Sequence, residues 1–195
     1  MKKFAVAVLV LVVASSAMAG VLQVGQTAAA VEPGAITATV GASLGLGDRE
    51  DKVIGARCSM GAIENLLVVI DLGYEIEGEV VNMAIAGQYT LPVELPVDLA
   101  IRLDYTLMDV PEFEITDFGS INIGIQASAP IEQVAGLALY GGIGYAYPLA
   151  DGADGELTFN VGGTYVLPVE NLSMYAEVSY LNDPAIGAGV VWAFQ

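Results

Sequence analysis

At 195 residues the chain has room for one domain, and with 55 % hydrophobic residues and a mean hydropathy of +0.63 it is too apolar to stay disordered. A formal charge of −17 argues against nucleic acid as a partner, because a phosphate backbone is bound through Lys and Arg. The absence of His removes the commonest general base and metal ligand, and a lone Cys58, read as a small buried hydrophobe, can form no intramolecular disulfide.

The chain opens with Lys2 and Lys3, an apolar run from Phe4 to Ala14, and the small-residue site Ala17-Met18-Ala19. This is the pattern of a signal peptide over residues 1–19, too short and wrongly flanked for a helical membrane anchor. The mature chain is then expected to begin at Gly20, with Arg49, Lys52, Arg57 and Arg102 as its cations. No Cys follows the cleavage point to carry a lipid. Residues 20–33 have no regular pattern and are expected to form a short periplasmic leader, an extra strand or an internal plug being the alternatives.

From Gly34 to the end the apolar residues recur with period two, the period of a strand. About ten such segments follow one another, near 35–46, 53–62, 66–76, 80–90, 97–108, 118–129, 137–148, 156–167, 172–181 and 185–194. In the fifth, Leu99, Ile101, Leu103, Tyr105 and Leu107 alternate with Ala100, Arg102, Asp104 and Thr106. Their lengths suit the roughly 9–11 residues of a tilted strand crossing a bilayer. Every second connection carries a shared motif: Ala62-Ile63-Glu64-Asn65, Pro92-Val93-Glu94, Pro130-Ile131-Glu132-Gln133 and Pro168-Val169-Glu170-Asn171. Such a repeat predicts tight hairpin turns, all at one end of an antiparallel structure. The alternate connections, the longest near 109–117, are rich in Gly and Asp and form the other rim.

Alternation alone fits a soluble barrel as well, with its apolar face inward and an apolar ligand inside. The polar face separates the two readings. It is made of Gly, Ala, Ser, Thr, Asn and Gln with few charges, which suits a crowded interior better than a water-exposed surface. The aromatic residues give a second test, since membrane barrels carry them in two interfacial girdles. Tyr74, Tyr105, Tyr145, Tyr147 and Tyr180 are expected near the loop-side end of the apolar face, and Tyr89, Tyr165, Trp192 and Phe194 near the turn-side end. The expected fold is therefore all-β: a closed antiparallel transmembrane β-barrel of about ten strands over residues 34–195.

With its signal-like start, even strand number and last strand Val190-Val191-Trp192-Ala193-Phe194, the chain resembles the small bacterial outer-membrane barrels of the OmpA, OmpX and OmpW kind. The resemblance implies outer-membrane lipid as surroundings and insertion by the outer-membrane assembly machinery. It is a likeness of architecture and names no ligand. Enzymes of this architecture resemble one another in using a His with Ser, Asp or Glu, a combination this chain cannot assemble. No enzymatic role and no cofactor are therefore expected.

The interior charges form the candidate site. Arg57 and Asp71 flank Glu64 symmetrically and should meet across a hairpin, Arg102 should be held by Asp104, and Glu177 also points inward. Asn82, Gln88, Asn122 and Gln126 are the expected polar neighbours. Asp151, Asp154 and Glu156 faintly resemble a calcium loop, although Asp-Gly is equally a turn dipeptide, so no metal site is assigned. Asp48, Glu50, Asp51, Glu75, Glu77, Glu79, Asp109, Glu112, Glu114, Asp117 and Asp183 extend the acidic rim, where divalent cations could collect. These features leave a structural role or a narrow, cation-preferring channel ahead of a surface-binding module.

Overall fold

In a computed structural model, the described residues are 25–46, 51–110, 115–149, 154–181 and 183–194. The proposed signal segment and residues 20–24 lie outside this set. Ten strands are present among the described residues: β1 (Ile36–Gly45), β2 (Lys52–Ile63), β3 (Leu66–Glu75), β4 (Val80–Thr90), β5 (Asp98–Val110), β6 (Ile115–Pro130), β7 (Leu137–Pro148), β8 (Glu156–Val166), β9 (Leu172–Leu181) and β10 (Asp183–Phe194). Each pairs antiparallel with its chain neighbours, and β1 pairs with β10 from Ile36↔Phe194 to Gly45↔Ala185. Closure gives every strand two partners, which hydrocarbon requires because it cannot satisfy an open edge.

The alternation sets which side faces out. Along β4 the even-numbered residues from Val80 to Thr90 are buried, while Val81, Met83, Ile85 and Tyr89 are exposed. Ile101, Leu103, Val161, Val178 and Val190 all point outward, Leu103 with 53 % of its surface accessible. Arg102 and Asp104, which bracket Leu103 in β5, are 0 % and 1 % exposed. The barrel is thus inverted relative to a soluble protein. Cys58 shares the outward face and is exposed, so it is not the buried hydrophobe that its composition suggested.

All nine aromatic side chains expected in the girdles lie outside. Tyr74, Tyr145, Tyr147 and Tyr180 sit close to the loop-side ends of their strands, and Tyr89, Tyr165, Trp192 and Phe194 close to the turn-side ends. Tyr105 differs: it lies near the middle of β5, between Ile85 and Ile121 on the flanking strands. A further member, Phe159, stacks on Tyr180 with ring centroids 4.8 Å apart.

The turn-side connections are less uniform than their motif implies. Glu64-Asn65 is a tight turn in which Asn65 adopts φ 65°, a left-handed conformation that Asn tolerates. The other turn-side connections are longer: 91–97 and 167–171 contain Pro92, Pro96 and Pro168, which cannot donate to a ladder, and 131–136 follows Pro130, the last residue of β6. On the loop side, the expected long loop at 109–117 is largely strand. β5 runs to Val110 and β6 starts at Ile115, the two residues facing each other beyond an irregularity after Met108.

Residues 25–31 run inside the barrel, along the path of the internal-plug alternative, while Glu32 and Pro33 are exposed where the segment joins β1. Ala28 is fully buried, and Val31 packs on the inward Leu67, Val69 and Ala86.

Candidate functional site in the barrel lumen

Two ion pairs stand at the centre of the interior. The β2–β3 register puts Arg57 opposite Asp71. Arg57 Nε donates to Asp71 Oδ1 at 2.6 Å and Nη2 to Oδ2 at 2.7 Å, a two-pronged contact that matches one edge of the planar guanidinium to the carboxylate. Arg102 and Asp104 share the inward face of β5, two positions apart. There Nε and Nη2 converge on Oδ1 at 2.9 and 2.7 Å. Both pairs are buried, so each charge depends on its partner to offset desolvation.

The neighbours of Arg102 and Asp104 divide. Gln88 lies opposite Arg102 and Asn122 opposite Asp104, while Gln126 faces Ala100 and Asn82 faces Met108. Asn122, Asn160 and Thr158 are buried with side-chain polar atoms that have no protein partner. Gln88 and Gln126 instead bind residues 25–28, as described next.

The leading segment is held almost entirely through its backbone. Glu177 Oε2 accepts from Gly25 N–H (3.0 Å) and Ser128 Oγ from Ala28 N–H (3.0 Å). Gln126 Nε2 donates to the carbonyl of Gln26 (2.6 Å), Gln88 Nε2 to that of Thr27 (2.9 Å) and Thr90 Oγ1 to that of Ala28 (2.9 Å). One contact joins side chains, Gln26 Nε2 to Gln88 Oε1 at 3.1 Å. The segment leaves the barrel at its turn-side end, where Gly34 N–H donates to the Gly61 carbonyl (2.8 Å).

Two inward tyrosines were missed from sequence. Tyr175 and Tyr140, 2 % and 0 % exposed, lie close against glycines of the wall. A Cβ on Gly41 would come 2.6 Å from the Tyr175 hydroxyl, and one on Gly162 would come 2.5 Å from that of Tyr140. The signal was available. Tyr175 has the parity of Ser173 and Glu177, and Tyr140 that of Gly142 and Gly144, all on the polar face.

Of the rim carboxylates, Glu77 pairs with Lys52 at 2.6 Å, with both side chains about half exposed, and Asp154 and Glu79 are also exposed. Glu156 is half-buried at the start of β8, opposite Ala146. Asp151, Asp48, Glu50, Glu112 and Glu114 lie outside the described residues. The side chains of Asp109 and Asp117 are likewise outside the description.

An apolar exterior with aromatic ends, wrapped around a polar and ion-paired interior, defines a transmembrane β-barrel. No family model matches the chain, and neither does any curated protein. Among solved structures it is similar to the N-terminal β-barrel domain of Pseudomonas aeruginosa OprF, at 9 % identity and TM-score 0.45, covering 84 % of this chain and 100 % of that one. A de novo designed transmembrane β-barrel matches at 13 % identity and TM-score 0.43, covering 85 % of this chain and 100 % of that one. The Acinetobacter baumannii outer membrane protein Omp33 matches at 12 % identity and TM-score 0.38, covering 84 % of this chain and 98 % of that one. The assignment of class rests on the strand pairing and surface of this chain itself.

Proposed function

We propose that the protein is an outer-membrane barrel that is closed in its resting state and serves as a structural element of the membrane rather than as an open pore. The observation that carries this reading is the filling of the interior. Arg102, Asn122, Asn160 and Thr158 are essentially inaccessible to solvent, and residues 25–31 occupy the space toward the turn-side end. The surroundings are outer-membrane lipid. The signal-like N-terminus and the final Trp192-Ala193-Phe194 support delivery through the outer-membrane assembly machinery, and a chain without His favours no catalytic role.

A second reading, a narrow channel preferring cations, is favoured by the interior carboxylates Asp71, Asp104 and Glu177 beneath an acidic rim. Planar-bilayer recording of the intact refolded protein separates the two. A silent baseline is expected. Steady ohmic steps from the intact chain would overturn the closed reading, and their reversal potential in a salt gradient would then test cation preference.

A further inference from the structure

A barrel of eight strands is just filled by its own side chains, and ten strands enclose a wider interior. Here that wider interior is lined in part by glycine: Gly41, Gly55, Gly73, Gly124, Gly142, Gly144, Gly162, Gly187 and Gly189 all sit at inward positions of their strands. Tyr175 covers Gly41 and Gly189, and Tyr140 covers Gly162; toward the turn-side end the space left by the wall is taken by residues 25–31, with Val31 and the Glu32 carbonyl against Gly61.

The contacts of this segment are those of a recognition site rather than of an added strand. Backbone pairing with the sheet begins only at Gly34 and Ala35, both of which bond to Gly61. Before that point, Gln88 and Thr90 of β4, Gln126 and Ser128 of β6, and Glu177 of β9 satisfy two N–H groups and three carbonyls of the segment. Polar side chains reading a peptide backbone tolerate many sequences but fix its path. Size supplies the selectivity. Gly25 lies against the Tyr175 ring, where a Cβ would come 3.0 Å from a ring carbon. Ala28 is fully enclosed, and Val31 enters the apolar cluster of Leu67, Val69 and Ala86.

We propose that the turn-side half of the lumen is a peptide-binding site for an extended segment with small residues at the positions of Gly25 and Ala28 and an apolar one at Val31. Its resident ligand is the chain's own residues 25–31, and displacing that ligand opens the barrel. The proposal rests on the reading of the barrel as closed at rest, and goes further in naming what closes it.

The test uses the full chain. In Ala28→Trp the indole cannot enter the enclosed position, so the segment should be expelled. The variant is expected to show discrete conductance steps, a synthetic peptide of residues 24–33 added in solution should suppress them, and the same peptide carrying Ala28→Trp should not. A folded but silent Ala28→Trp protein, or equal block by both peptides, would overturn the proposal. Should Ala28→Trp fail to fold, Gln88→Ala/Gln126→Ala keeps the segment intact and removes three of its hydrogen bonds. Its open-to-closed ratio should rise on the order of 100-fold, three net hydrogen bonds compounding; an unchanged ratio in that variant would equally overturn the proposal. Conductance by the unaltered protein would count against the closed reading alone, because peptide discrimination by Ala28→Trp still decides whether the lumen is a peptide site.

Discussion

Arg57 and Asp71 face each other across the β2–β3 hairpin and share two hydrogen bonds of 2.6 and 2.7 Å in the sealed interior, while the adjoining Cys58 and Ile70 face outward. A buried pair of this kind is costly to break from one side, since the charge left behind has neither water nor partner. Asp71→Asn and Arg57→Gln should each lower unfolding free energy by roughly 3–5 kcal/mol in lipid vesicles titrated with urea. Because each single change strands the same partnership, the double variant should lose less than the sum. Strict additivity would show that the two side chains do not act as a pair.

On the outer wall the ordering is reversed. Leu103→Arg and Ile123→Arg place a charge among lipid tails and should cost about 2–4 kcal/mol each in the same assay. Glu94→Arg, on an exposed turn-side connection, should stay within about 0.5 kcal/mol of the parent. Equal tolerance at Leu103 and Glu94 would mean that Leu103 does not meet hydrocarbon.

Tyr175 and Gly41 give a third prediction. Gly41→Ala drives a methyl group into the tyrosine hydroxyl and should cost about 1–3 kcal/mol, by overpacking. In a Tyr175→Phe background the cost should fall, though not vanish, because the Ala188 carbonyl is also near, at 2.9 Å from the added carbon. Identical costs in the two backgrounds, read from urea titrations, would remove Tyr175 from the contact.

These particulars show which parts of the structure were legible in the sequence. Period-two alternation carries both the strand and its face, so a residue such as Leu103 could be placed outside and Asp104 inside before any coordinates. The opposition of Arg57 and Asp71 is read from their symmetry about Glu64; the Glu64-Asn65 turn alone pairs Ile63 with Leu66, and the irregularity between Gly61 and Ile63 shifts the ladder by one residue so that Arg57 meets Asp71. The path of residues 25–33 could be raised only as an alternative. Its partners bind backbone atoms, which every residue carries, and Gly25, Ala28, Ala29 and Ala30 have side chains too small to show a period. The same limit applied to Gln88 and Gln126. Their inward parity was readable, but the atoms they would bind were not, and nearby Arg102 was the only visible candidate.

Trp192 is the only tryptophan of the chain and lies on the outer wall near the turn-side end of β10, with 53 % of its surface accessible. Its fluorescence therefore reports directly on whether this surface meets lipid. In vesicles of lipids brominated at graded depths, the account predicts strong quenching by bromines close to the headgroups, weaker quenching from the bilayer centre and little from aqueous iodide. Efficient quenching by iodide with none from brominated lipid at any depth would contradict a transmembrane barrel with its apolar face turned outward.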